Sequence, residues 1–277
     1  MKHLVIGVSG GLDSTLALLA AVGAFEYLKI DKKNIHAYTL PGLHTSDKTN
    51  KNAKKLMELL GVSYEEIDLA KHIKDHLALI DHDQSTEDIT YENTQARART
   101  MVLMNLANKL NALVLGTGDL SEIALGWSTY NGDQMSMYNV NGGIPKTVVQ
   151  FMIEAYANYN YDVELKKVLV DILSTPITPE LKSEQTTESV IGKYEINDFI
   201  LYRFMVAGDT AERIKYLLKI VFNLSDDLSN HYTDNFFKRF FSQQFKRQAS
   251  PDSPKVFDFA LSPRSDFKMP ADVLRSS

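Results

Sequence analysis

The chain has 277 residues, and 35 acidic against 30 basic side chains leave a formal net charge of −5, which argues against a general nucleic-acid binder. With 44% hydrophobic and 23% charged residues, bulk disorder is excluded, and no apolar run reaches the roughly 18 residues of a membrane span. There is no cysteine, so a disulfide scaffold, a thiolate metal site and a cysteine nucleophile for glutamine hydrolysis are excluded in this chain.

In chain order, His3 to Val8 is a short apolar run that stops at Ser-Gly-Gly and reads as a strand. Ser14 to Leu28 reads as a helix apolar around most of its circumference, hence well buried. Asp13 and Gly10-Gly11 distinguish this start from a secretory leader. Asn34 to Leu40 is a second strand, ended by Pro41-Gly42. Ser46 suits the cap of a helix reaching Leu60 and stopped at Gly61. Ser63 to Leu69 alternates like a third strand, Asn93 to Leu110 is helical, and Ala112 to Leu115 is a further apolar strand. Thr147–Tyr159, Asp162–Leu173, Phe199–Val206 and Thr210–Asn223 read as helices, with a proline-containing loop from Ser174 to Glu180. Four of the eight prolines lie after residue 250, so Ser250–Ser277 is expected to be extended, ordered only where it packs.

Strands separated by helices imply an α/β fold, a doubly wound, mostly parallel sheet with a helical C-terminal half. A single domain over 1–277 is expected: a nucleotide-binding core at 1–145, a helical part at 146–248 and an extended tail at 249–277. Ligands of such sheets sit beyond the carboxyl ends of the strands. Those positions are Ser9–Ser14, Leu40–Gly42 and Gly116–Glu122.

Ser9-Gly10-Gly11-Leu12-Asp13-Ser14 lies between a strand and a helix. Its glycines permit close approach of an anion, and its amides and hydroxyls can donate to phosphate oxygens. The lysine of a mononucleotide P-loop is absent, and an aspartate stands in the loop instead. An acid among phosphates is repulsive unless a cation intervenes, which makes Asp13 a Mg²⁺ ligand or, more plainly, a helix cap. Gly116-Thr117-Gly118-Asp119-Leu120-Ser121-Glu122 follows another strand and offers a second carboxylate, Glu122 or Asp119; a capped strand-to-helix turn is the competing reading.

Trp127-Ser128-Thr129-Tyr130-Asn131-Gly132-Asp133 combines aromatic faces with hydrogen-bonding groups, suited to a planar heterocycle or to an irregular loop around a core tryptophan. Asn93 and Arg97 share a helix face, and an arginine near a helix start is favourable only beside an anion. In Phe236–Arg247 five phenylalanines alternate with Lys238, Arg239, Lys246 and Arg247, a plain amphipathic helix being the simpler account of most of these cations.

The Ser-Gly-Gly-Leu-Asp-Ser loop resembles that of the ATP pyrophosphatases, which split ATP between its α- and β-phosphates and adenylate a substrate. Glu92–Arg99, Gly116–Tyr130 and Ser242–Arg247 together resemble NAD synthetase. The Trp-Ser-Thr-Tyr block and the tail Ser250–Pro270 are similar to the synthetase domain of its glutamine-dependent form. The resemblance covers nearly the whole chain. It departs in one respect, because an amidase domain with a cysteine nucleophile is absent; the chain is an excised domain or a free-standing synthetase.

The resemblance implies a ligase that amidates nicotinic acid adenine dinucleotide to NAD through an adenylated carboxylate, with ATP and Mg²⁺ as cofactors and ammonia as nitrogen donor. On the family pattern Gly7, Ser9, Gly10, Gly11, Asp13, Ser14, Leu40, Thr117, Lys146 and Thr178 bind ATP. Asp13 and Glu122 hold Mg²⁺ and are the catalytic pair. Asn93, Glu122, Trp127, Ser128, Thr129, Tyr130 and Lys246 contact the dinucleotide acid, and Arg97 is added from its position and charge. Asp119 or Asp133 is an expected acceptor of the proton lost by ammonia. A cytoplasmic homodimer or higher homo-oligomer is expected, without nucleic-acid or membrane partners. The remaining alternatives are another ATP pyrophosphatase, such as a tRNA-adenylating enzyme, and a non-catalytic ATP-binding module.

Overall fold

A computed structural model describes residues 2–43, 47–176, 181 and 187–273. Five parallel strands, β1 (His3–Gly7), β2 (Ile35–Thr39), β3 (Ser63–Glu66), β4 (Ala112–Gly116) and β5 (Tyr138–Asn139), lie in the order β3-β2-β1-β4-β5. The chain winds outward from β1 in one direction, then returns to β1's other side at β4. The carboxyl ends of β1 and β4 therefore flank the point where strand order reverses, the place where such sheets open a crevice for ligand.

Alternate residues supply the two faces of the sheet. Ile6, Ala37 and Leu115 enter one core with α1 (Leu12–Tyr27), α2 (Asp47–Leu60), α6 (Lys146–Tyr159) and α7 (Val163–Leu173). Val5, Tyr38 and Val114 enter another with α3 (Ala70–Leu79) and α4 (Ile89–Leu110). α1 is buried nearly all round, as its sequence implies. Fully buried Leu18, Leu56 and Met57 each contribute roughly 1.5–3 kcal/mol to this core.

A third core joins α5 (Leu120–Leu125) to α8 (Thr187–Ile191), α9 (Tyr194–Met205), α10 (Ala211–Val221) and α11 (Asp226–Ser242); the short α12 (Gln244–Gln248) follows. Its centre is a cluster of aromatic rings, in which Phe204 meets Phe237 and Phe240 edge-on at 5.1 and 5.5 Å. The phenylalanine-rich segment is thus mostly interior: Phe236, Phe237 and Phe240 are buried, and only Phe245 of the five is exposed.

Two expectations change. The third strand ends at Glu66 rather than Leu69, because Tyr64–Glu66 forms an exposed sheet edge before the chain turns into α3, a helix the sequence reading missed. The Phe236–Arg247 segment is two helices, broken at Gln243. The described part of the tail has no helix or strand and packs on the body: the Asp252 carbonyl accepts from Asn139 N–H at 2.8 Å, Arg264 reaches Asp252 and Ser250, and Ala260 and Leu261 are buried. Ser46 lies outside the described residues. Among the described residues no helix is long and apolar enough to cross a membrane.

Candidate functional site

The β1–α1 loop is folded by its own hydroxyls. Ser9 Oγ accepts from Gly11 N–H at 3.2 Å and lies 3.2 Å from Ser14 Oγ, while Thr15 Oγ1 donates to the Gly11 carbonyl at 2.8 Å. Gly10 has φ +87°, and a Cβ there would collide with the Thr49 carbonyl oxygen of α2, so only glycine fits. Ser9 is exposed and Ser14 buried. Gly7 sits with its missing side chain toward Leu103 of α4, where a Cβ would stand 3.0 Å from that side chain. Gly7 thereby admits close helix packing beneath the loop.

The β4–α5 loop arrives beside it. Asp119 caps α5: its carboxylate accepts from Glu122 N–H at 2.8 Å, and the Glu122 carboxylate accepts from Asp119 N–H at 3.4 Å. The capping and the ion-binding readings of this loop therefore describe the same residues. Asn141, with no solvent exposure, joins the two loops by donating from Nδ2 to the carbonyls of Asp13 (2.8 Å) and Thr117 (3.0 Å). Asn139 donates to the Gly118 carbonyl at 2.8 Å.

Asp13, Asp119 and Glu122 bring carboxylate oxygens within 4.8 Å of one another. Lys146, at 1% exposure, reaches all three, with Nζ 2.5 Å from Asp13 Oδ2, 2.8 Å from Asp119 Oδ2 and 3.1 Å from Glu122 Oε1. Burial pushes Asp119 well above the usual carboxylate range and Glu122 up to about 7, against the pull of Lys146. Burial would lower Lys146, but Asp119, Asp13 and Glu122 outweigh it and hold the ammonium well above its ordinary value. Asp13 Oδ1 is buried without a hydrogen-bond partner. An all-oxygen donor set with one unsatisfied carboxylate oxygen fits a hard divalent cation such as Mg²⁺. The expected pair Asp13 and Glu122 thus gains a third acid, Asp119. Its enclosure by the cap and by Lys146 does not suit it to the role of open proton acceptor.

Three further residues, from α5 and α9, surround Lys146 and the start of α6. Pro145 occupies the N-cap of α6 and supplies no side-chain cap, so the first amides of that helix are met from elsewhere. Ser121 Oγ accepts from Lys146 N–H at 2.9 Å, and Asp198 of α9 accepts from Thr147 N–H at 3.0 Å and Thr147 Oγ1 at 2.8 Å. Ser121 in turn donates to Asp198. Burial raises Asp198, while its bonds from Ser121 and Thr147 draw it back down. Tyr194, also on α9, places its ring 5.2 Å from Lys146 Nζ, and its buried hydroxyl has no hydrogen-bond partner. Ser121 lies in the Gly116–Glu122 loop that the sequence singles out, but nothing in the sequence pointed to Asp198 or Tyr194 as parts of this centre. Asn139 and Asn141 carried only the weak signal of two amides two residues apart before Gly-Gly-Ile-Pro.

The remaining residues form a rim. Leu40 directly follows β2 and is buried, with its carbonyl accepting from Arg99 Nε at 3.1 Å. Asn93 accepts from Thr129 Oγ1 at 2.8 Å, and Asp133, exposed, accepts from Thr129 N–H at 2.8 Å. Arg97, also exposed, donates to the Tyr130 carbonyl at 3.3 Å. Lys246 donates to the carbonyls of Gly126 (2.8 Å) and Ser128 (2.6 Å) and so fixes the 126–130 loop. Trp127 carries the Arg239 guanidinium 5.2 Å over its ring, and Tyr130 meets Phe245 at 5.5 Å. Arg247 is fully internal: it donates to the carbonyls of Ile123, Ala124 and Phe240, and burial lowers it to about 10. Thr178 lies outside the described residues. A crevice lined by Gly118, Glu122, Ser128, Gln134, Asn139 and Ser250 connects this rim to the acidic centre.

A profile of the family described as NAD synthase matches residues 1–242. Glutamine-dependent NAD(+) synthetase of Mycobacterium leprae (strain TN) is 40% identical over 303 aligned positions, covering 98% of this chain and 44% of the relative. The chain thus spans less than half the length of the curated relative it matches. The crystal structure of a glutamine-dependent NAD(+) synthetase from Cytophaga hutchinsonii superposes at a TM-score of 0.79 and 19% identity, over 98% of this chain and 50% of that one. Glutamine-dependent NAD+ synthetase of Acinetobacter baumannii in complex with adenosine diphosphate superposes at 0.57 and 23% identity, over 94% and 44%. At these identities the two structures speak to the fold.

Proposed function

The chain belongs to the NAD synthase family, and from that premise we propose that it amidates nicotinic acid adenine dinucleotide to NAD with ATP and ammonia. A carboxylate is a poor acyl donor because oxide is a poor leaving group. Attack of the nicotinate carboxylate on the α-phosphorus of ATP releases pyrophosphate and gives a mixed anhydride with AMP. Ammonia then adds to the acyl carbon and AMP departs. No covalent side chain is required, in keeping with the absence of cysteine; the protein positions the groups and offsets charge.

The observation that supports the reading best is the meeting of the Ser9–Ser14 loop, a three-carboxylate cluster and a buried lysine at the reversal point of a parallel sheet. In this reading the amides and hydroxyls of Ser9–Ser14 and the ammonium of Lys146 bind ATP phosphates, and the Leu40 end of β2 takes the adenine. Asn93 and the Trp127–Tyr130 loop take the dinucleotide acid, with Lys246 shaping that loop. Asp13 and Glu122 would hold Mg²⁺, which when bound would offset charge on the departing pyrophosphate. The family relatives are described as glutamine-dependent; with no cysteine of its own this chain takes free ammonia. Residues 1–277 act as one synthetase domain in the cytoplasm. A homodimer covers the exposed Phe151, Tyr156, Tyr159 and Tyr161 around α6.

The chain incubated with ATP, Mg²⁺, ammonium and nicotinic acid adenine dinucleotide should yield NAD, AMP and pyrophosphate together, and no NAD with glutamine alone. Asp13→Ala should keep its circular dichroism and lose AMP production. Full AMP release by that folded variant sinks the metal assignment, and absence of NAD from the parent chain sinks the activity. Light scattering at micromolar concentration should report a dimer; an active monomer refutes the oligomer.

A further inference from the structure

The atoms that a divalent cation would use are already engaged by Lys146. Its ammonium contacts Asp13 Oδ2 and Glu122 Oε1 as well as Asp119 Oδ2. A cation held by Asp13 and Glu122 must share or replace that contact. The Lys146 main chain cannot retreat to make room, because Ser121 holds its amide and Asp198 holds both polar groups of Thr147. Only the four-carbon side chain is free to swing. Leaving three acids while staying out of water requires another anion within reach of the same Cα.

Among the described residues, buried groups beside the cluster lack partners, those of Asn141 and Tyr194 among them. Asn141 is wholly buried, spends its Nδ2 on the Asp13 and Thr117 carbonyls and leaves Oδ1 unpaired. The Tyr194 hydroxyl, on a ring that faces the ammonium and is 3% exposed, is likewise unpaired. Such groups are the ones an entering ligand and its water satisfy.

We propose that Lys146 is an internal counter-cation that keeps the three-carboxylate centre closed to free divalent metal until a nucleotide phosphate draws the ammonium away. It rests on the reading that Asp13 and Glu122 hold Mg²⁺ beside ATP. Metal and nucleotide then load together: the phosphate gives Lys146 its new partner, and the departure of Lys146 frees the carboxylate oxygens. Ser121 and Asp198 make the exchange a side-chain motion about a fixed main chain.

The test is Mn²⁺ binding without nucleotide, followed by electron paramagnetic resonance of free Mn²⁺, for the full chain and for Lys146→Met. The variant should bind one Mn²⁺ at least tenfold more tightly than the parent. Adding Asp13→Asn to it should return binding to the parent level, placing the ion at this cluster. Should Lys146→Met fail to fold on its own, refolding on addition of Mn²⁺ supports the proposal. Equal Mn²⁺ affinity in parent and variant overturns it, as does a variant that neither binds Mn²⁺ nor folds with it. These readouts need no turnover, so a chain that makes no NAD but passes them loses the functional reading and keeps this one.

Discussion

Asp198→Ala tests whether the helical half of the molecule sets the geometry of the nucleotide-binding half. The substitution removes the acceptor of three donors, Ser121 Oγ–H, Thr147 N–H and Thr147 Oγ1–H, and leaves α6 with Ser121 as its remaining external acceptor, at the Lys146 amide. A hydrogen bond to a charged acceptor contributes about 1.5–3 kcal/mol, and an N-cap about 1 kcal/mol. Asp198 is only partly enclosed, so water can recover part of the loss, whereas Ser121 is 1% exposed and its hydroxyl is stranded more completely. The expected cost is about 2–4 kcal/mol, with Asp198→Asn losing less because it keeps one acceptor oxygen for Thr147. Urea unfolding of the metal-free chain, read by circular dichroism, measures it. Because Thr147 adjoins Lys146, AMP formation should fall for both variants, and far less when Lys146 is already methionine. A destabilisation under about 1 kcal/mol, or equal fractional losses of AMP formation in the two backgrounds, would refute the argument that Asp198 acts through Lys146.

Gly10→Ala forces a Cβ onto a backbone at φ +87° and into the Thr49 carbonyl, and should cost at least about 2 kcal/mol by urea unfolding while abolishing AMP formation. Arg247→Met strands the α5 carbonyls of Ile123 and Ala124 and should lower stability by about 2–4 kcal/mol; an unchanged unfolding midpoint would show that water replaces the guanidinium there. His36 packs against His3 at 3.1 Å, and burial followed by that neighbour lowers it below its ordinary 6.5. The unfolded chain therefore binds the proton more readily, so stability falls as pH drops through that region. His36→Gln should flatten this part of a thermal-unfolding pH series, and a superimposable series would contradict the assignment.

How much of this was legible in the sequence follows from range. Short continuous apolar runs in His3–Val8 and Ala112–Leu115, and an all-round apolar helix between Ser14 and Leu28, are local consequences of burial, so they give the parallel α/β frame without coordinates. The Ser9–Ser14 loop was equally readable, because glycine tolerance and hydroxyl donors are properties of adjacent residues. The meeting of Asp13 with Asp119 and Glu122 was expected only from strand order and from resemblance. Lys146 was expected at ATP; that it is buried 2.5–3.1 Å from three acids depends on α6 crossing beneath two loops more than twenty residues away. Asp198 and Tyr194 belong to a helix whose sequence carries no catalytic pattern, and Arg247, though inside a segment the resemblance covers, gave no sign of being internal; each acts across long separations on main-chain or charged groups. The phenylalanine-rich segment makes the complementary point. Its composition fits an exposed interface or a core equally well, and the choice lies with α5 and α9, whose apolar faces need those rings to leave water. Local chemistry fixed the strands and the phosphate-type loop, whereas the charge balance of the centre was decided by the packing of distant helices, because desolvation and ion pairing depend on what surrounds a group in space.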